Sequence, residues 1–199
     1  MWSCVRAYIA VEVKDKKGKT RLKQRKPSRS FLRNFARVLR GLFYTTPSSA
    51  IETIVSSDGT THSFPKLYSE TNDLARTYAY EGEDGYGVLV GNGTTQVSFD
   101  DYILASKIPH GESAGQLYYY KSNVLRTEFD NYDIIAFTRN FENRSGENIT
   151  VTEVGLALHY EHRIEGIHNV LIARDLLDPA ITLAPLETLN ARYEVEIRL

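Results

Sequence analysis

Apolar and polar residues alternate along most of this chain, and one stretch breaks the rhythm. Val5, Ala7, Ile9, Val11 and Val13 take every second place in VRAYIAVEV, which predicts a strand with one buried face. KDKKGK then turns the chain, and TRLKQRK returns as a second, basic strand. From Phe31 the period changes. Phe31, Leu32, Phe35, Val38, Leu39, Leu42 and Phe43 fall within roughly 140° of one another at 100° per residue, with Arg29, Arg33, Arg37 and Arg40 on the other side. This predicts an amphipathic helix, capped by Ser28 or Ser30 and ended by Thr45-Thr46-Pro47. Its apolar stripe cannot stay in water and must dock on the chain's own body, a neighbouring copy, a membrane or another partner.

Beyond Pro47 the period of two returns. AIETIV and THSF flank a hairpin turn at Asp58-Gly59. Residues 65–85 read as irregular and acidic, YGVLVGNGTT as a short strand entering a glycine turn, and VSFDDYILASKI as a loop. QLYYYKSNVLRTEF, YDIIAFTRNF, ITVTEVGLALHY, HNVLIARDLL and LNARYEVEIRL follow as strands. Thirteen Tyr and eight Phe against one Met and one Trp fit that bias. The fold class expected is mainly β: an antiparallel sandwich, jelly-roll-like or Ig-like, with an N-terminal basic hairpin and one amphipathic helix. Residues 1–46 form an arm and residues 47–199 a body.

Charge sharpens this division. Residues 1–40 hold 13 Lys or Arg against Glu12 and Asp15, or +11, while the other 159 residues hold 11 bases and 23 acids, or −12. Lys16, Lys17, Lys19, Arg21, Lys23, Arg25, Lys26, Arg29, Arg33 and Arg37 make the arm a candidate for an anionic or acidic surface. Nucleic-acid phosphates would satisfy the charge but not the apolar helix face. An acidic body on a neighbouring copy would satisfy both. A homo-oligomer is therefore the first expectation, with the helix stripe at the subunit interface. Nucleic acid is the second, and a membrane is not the expected partner. The run from Val5 to Val13 is interrupted by Arg6 and Glu12, so neither a cleaved signal nor a membrane span is expected.

Catalytic chemistry finds little support in these residues. His159, His162 and His168 could join Glu161, Glu165 or His62 around a metal, but strand residues three apart face opposite ways, and HYEHRIEGIH reads as an exposed polar hairpin. Glu83-Asp84 and Asp100-Asp101 read as solvated loops, and the chain's one cysteine, Cys4, has no nearby His. No cofactor or metal is expected, and no enzyme. Asn92, Asn143 and Asn148 head sequons that fit exposed turns. Gly91 and Gly93 read as positive-φ turn positions, and Gly155 as a site of close packing or of a bulge.

Three segments in order, GVLVGNGTTQVSFDDYILASKI (87–108), NITVTEVGLAL (148–158) and LIARDLLDPAITLAPLETLNARYEVEI (171–197), carry a resemblance. The chain resembles small β-sandwich structural proteins of the virions of tailed bacteriophages and archaeal viruses. SFLRNFARVLRGLF also looks like the N-terminal segment of some members. The resemblance implies a virion component made in the host cytoplasm, in capsid, tail or vertex, that assembles with itself and with other virion proteins. Where members have a glycine-containing turn after Ala-Arg-Asp, this chain has Ala184-Pro185-Leu186-Glu187. A nucleic-acid-binding accessory protein, or a host- or glycan-binding module using exposed turns, are the alternatives.

Overall fold

Alternation along the chain becomes long antiparallel strands. The computed structural model describes residues 4–28, 30–43, 52–64, 74–162 and 166–198. β1 (Cys4–Lys14) and β2 (Thr20–Pro27) lead into α1 (Arg33–Phe43). β3 (Glu52–Val55) and β4 (Thr61–Phe64) pair with each other, followed by β5 (Leu74–Arg76), β6 (Gly87–Gly91), β7 (Tyr118–Tyr119) and β8 (Asn123–Glu128). Four long strands follow: β9 (Tyr132–Glu142), β10 (Ile149–His162), β11 (Gly166–Leu183) and β12 (Thr188–Arg198). The protein is mainly β, its sheets are antiparallel, and α1 is its one described helix.

A six-stranded sheet runs β2-β1-β12-β9, with β7 and β8 sharing the outer side of β9. A four-stranded sheet places β10 between β11 and the pair β5 and β6. Ile9, Val11 and Val13 of β1, Leu189, Ala191 and Tyr193 of β12, and Phe141 of β9 fall at matched register on one face and are buried. The Tyr193 hydroxyl donates to the Val154 carbonyl of the smaller sheet at 2.8 Å, and the Tyr119 hydroxyl to the Ile108 carbonyl at 2.5 Å. Burial raises both phenols well above their ordinary pKa, so both remain neutral donors. Arg139 is 1 % exposed and donates to the carbonyls of Tyr80, Tyr86, Val88 and Tyr120. Burial pushes its guanidinium down to about 10.

Several local expectations change. The strand expected over 116–129 divides into β7 and β8. Tyr119 faces Phe141 but Asn123 faces Thr138, so the register slips by one residue between them. Ser122 turns inward at the slip, its amide donating to Ala79 O and its hydroxyl accepting the Ala79 amide. Neither Ser28 nor Ser30 caps α1. Both hydroxyls donate to the Asp175 carboxylate, at 2.7 and 2.9 Å, and the helix begins three residues after Ser30. The expected helix end and the arm–body boundary at Pro47 lie outside the described residues. His159 and His168 are buried strand residues rather than parts of an exposed turn. Asn143 is fully buried, its amide donating to Leu183 O and Glu147 O, so this sequon offers no exposed acceptor. Leu186 has φ +65°, the conformation that glycine adopts most readily, in the turn between β11 and β12.

Gly91 and Gly93 are not among the positive-φ glycines. They are needed for space. A Cβ on either would lie 2.5 Å from Oε1 of Glu153, a carboxylate with no exposure to solvent. That carboxylate accepts the amides of Gly93, Ala105 and Ser106 at 2.8–3.1 Å and the Arg174 Nε at 2.7 Å. Arg174 reaches onward to Asp101 at 2.6 Å and to Thr95 O at 2.8 Å. One buried pair thus pins the loop between β6 and β7 to the centre of the smaller sheet. Glu153→Ala should lower the unfolding free energy in urea by about 3–5 kcal/mol, because Arg174 stays buried without its main counter-charge. Glu153→Leu combined with Arg174→Met should lose less than the two single losses added. A strictly additive result would show packing, not charge, to be the source.

Candidate functional site

The basic residues expected to bind anions fall in three environments. Lys16, Lys17 and Lys19 sit exposed in the β1–β2 turn, where Oδ1 of Asp15 accepts the Lys17 and Lys19 amides at 2.8 and 2.9 Å. Alternation puts Arg21, Lys23 and Arg25 on the outward face of β2. Arg21 makes a two-point ion pair with Glu187 at 2.7 and 2.8 Å. Arg25 binds Glu194 at 2.8 Å and lies 3.5 Å above the Tyr8 ring. Lys23 is exposed opposite Glu12. Lys26 turns to the other face and donates to Leu176 O. Arg33 pairs with Asp100, which Arg37 also helps to hold below the usual carboxylate range. Arg29 lies outside the described residues.

The apolar helix face rests on the chain's own strands. Residues 30–32 run beside β11: Leu32 donates its amide to Ile172 O at 3.0 Å, and Arg174 donates its amide to Ser30 O at 3.2 Å. Leu32 is fully buried, while Phe31, Phe35 and Val38 are half-buried against the core. The rings of Phe31 and Phe35 stack at 4.1 Å. Leu39 remains 36 % exposed, and the side chains of Leu42 and Phe43 lie outside the described residues. Asn34, a polar residue beside the stripe, does what no apolar residue could. Its side-chain amide both accepts the Val55 amide at 3.1 Å and donates to Val55 O at 2.9 Å, and it also reaches Leu171 O. This clamps α1 to β3 and β11.

A second feature was not evident from the sequence. The loop pinned by Glu153 arches over β10 and β11 and leaves a cavity of about 440 Å³. Leu89, Ala157 and Leu171 form its floor, and Ile103 and Leu104 one wall. Gly155 lets Leu104 approach: an added Cβ would lie 2.8 Å from that side chain. Lys107, Asp84, Ser57 and Asn169 supply the polar edge. Lys107 Nζ binds Asp84 Oδ1 at 2.9 Å, and the His110 amide donates to Oδ2 at 2.8 Å. Burial works to raise the Asp84 carboxyl, but the His110 amide and the Lys107 ammonium outweigh it, and the group titrates below its ordinary 3.8. Of the acidic pairs expected to be solvated, Asp100 is exposed but pairs with Arg33, while the half-buried Asp84 and Asp101 anchor Lys107 and Arg174. Among the described residues no group of three or more His, Cys, Asp or Glu is placed to hold a metal ion.

Comparison with protein-family models, curated proteins and solved structures gives no significant match. The surfaces above must therefore be read on their own chemistry. The cavity combines an apolar floor with a polar edge whose carboxylate and ammonium already neutralise each other. The basic ribbon answers much of its charge with the chain's own acids.

The Asp84 pair has a consequence for acid stability. A carboxyl whose pKa is lowered on folding stabilises the protein above its unfolded value and loses that contribution as pH falls through the folded one. Asp84→Asn should melt below the parent at neutral pH, and the gap should shrink as pH falls below the ordinary carboxyl value of 3.8 and through the lowered folded one. A gap independent of pH would assign the effect to packing.

Proposed function

We propose that this chain is a structural protein that works by self-assembly, as a component of a virion. Its body is read as a β-sandwich of the jelly-roll- or Ig-like kind, and β1 with β2 as the basic hairpin of an N-terminal arm. One observation carries the assembly reading. The six-stranded sheet ends in β2 on one side and in β7 and β8 on the other, and β8 is exposed along its whole length with Val124 and Leu125 each 46 % exposed. An exposed edge strand presents unpaired amides and carbonyls to any other strand. The flanking Phe129 is 47 % exposed, so apolar area accompanies the open edge. The ordered resemblance over residues 87–197 supplies the virion context, and with it other virion proteins as partners.

A second reading keeps the nucleic-acid alternative. Lys16, Lys17, Lys19 and Lys23 are exposed along the turn and outer face of the β1–β2 ribbon, a spacing suited to phosphates.

Mass photometry and negative-stain imaging of the full chain separate the two. Self-assembly predicts dimers or larger regular particles that grow with concentration. A monomer at every concentration overturns it. A monomer that binds DNA, losing affinity with added salt by about 0.9 in log–log slope per neutralised phosphate, moves the function to the second reading.

A further inference from the structure

We propose that two copies of this chain pair through their β8 strands about a two-fold axis at Thr127, joining their six-stranded sheets into one. This deepens the self-assembly reading and rests on it. The partner is a second copy, and the argument is register, charge and the contrast between the two sheet edges.

The other edge is guarded. β2 carries Arg21, Lys23, Arg25 and Lys26 and ends in Pro27, and both charge and proline discourage strand addition. β8, NVLRTE, has no proline and no lysine, and its six residues pair with β9 without a bulge. Its one cation is balanced two residues on, with Arg126 and Glu128 ion-paired at 2.5 Å on a common face.

Backbone geometry limits how a second strand can join. The Phe129 amide donates to Tyr132 O at 2.9 Å, and Phe129 is followed inward by Thr127 opposite Ile134 and Leu125 opposite Ala136. Antiparallel pairs alternate between bonded and non-bonded, so these odd residues bond to β9. The amides and carbonyls of Val124, Arg126 and Glu128 then point outward. Two such edges can join only with even residues facing even residues. Three two-fold registers near the strand centre meet that condition. An axis at Leu125 puts Arg126 opposite Val124 of the second copy. An axis at Arg126 puts the two guanidinium groups opposite each other. An axis at Thr127 puts Arg126 opposite Glu128 of the second copy, and Glu128 opposite its Arg126. Opposed unlike charges stabilise a cross-strand pair and like charges weaken it, so charge selects Thr127. That register also sets Leu125 against Phe129 of the second copy, covering two exposed apolar side chains at each end, where Phe129 is already stacked on Tyr132 at 4.4 Å. The arrangement is isologous and closes on itself.

Cysteine placement tests the axis directly. Across the two-fold, Thr127 faces its own copy in a non-bonded pair with Cα atoms about 4.5 Å apart, inside the span of a disulfide. In a Cys4→Ser background, Thr127→Cys should convert to a disulfide dimer under mild oxidation. Leu125→Cys and Arg126→Cys should do so at least about tenfold more slowly. Arg126→Glu or Glu128→Arg alone should weaken the dimer about tenfold, and the double exchange should restore it. Leu125, Arg126, Thr127 and Glu128 are exposed, and circular dichroism checks that each variant folds. Preferential linking through Leu125→Cys or Arg126→Cys overturns the register. Assembly of the full chain with no Thr127→Cys link overturns β8 as the interface and leaves self-assembly standing. A monomer with no link overturns both.

Discussion

Burying Glu153 and Arg174 together is the constraint on which the rest of the structure depends. Taking two charges out of water costs several kcal/mol each unless nearly every donor and acceptor finds a partner. The chain meets that demand by folding a loop onto the pair. Gly93, Ala105 and Ser106 give their amides to Glu153, while Thr95 O and Asp101 complete Arg174. The loop has little freedom left once these bonds form. Its position sets the wall of the cavity through Ile103 and Leu104, and it presents Asp100 to Arg33 at the start of α1. The helix, the cavity and the smaller sheet are therefore coupled through one ion pair.

The same logic governs the basic ribbon. A strand pair carrying so many like charges repels itself unless acids lie close by. Register supplies them: Arg25 meets Glu194 and Arg21 meets Glu187, residues far apart in sequence but adjacent once β2, β1 and β12 align. Burial works to raise the Glu187 carboxyl, but Arg21 and the Ala184 amide outweigh it and hold it below its ordinary value. The division of charge between the first 40 residues and the remainder is thus partly resolved within one chain. The lysines of the β1–β2 turn are left on the surface.

What could be read in advance followed from local periodicity. The alternation of β1, β9, β10 and β12 and the stripe of α1 are statements about neighbours two to four residues apart, and they translate directly into strands and a helix. The features that were missed depend on distant partners. Glu153 breaks the apolar run of TEVGLAL, and a carboxylate at an inward place was the signal of a buried pair, but nothing nearby names Arg174 or the loop amides. Asn34 borders the helix stripe and looks like any polar flank until β3 arrives beside it. The one-residue slip at Tyr120–Ser122 is invisible to a pattern of period two, because both sides of the slip alternate correctly. Gly91 and Gly93 showed that the chain needed glycine there, yet the reason is the Glu153 carboxylate, not the turn.

The place of α1 changes where association can occur. With Leu32 buried and Asn34 bonded to β3 and β11, the described face of the helix is largely committed to its own chain. The open backbone of the six-stranded sheet is different in kind, because its outward amides and carbonyls are satisfied only by water or by another strand. Of its two edges, β2 answers with an excess of positive charge and Pro27, while β8 has no proline, balances Arg126 with Glu128 and adds exposed apolar side chains. A fold under pressure to stay monomeric would guard both edges alike. The unequal treatment of the two edges follows the division of charge in the sequence, with bases gathered at one side of the sheet and a neutral, partly apolar strand at the other. Any strand added to this sheet would therefore meet less like charge at β8 than at β2.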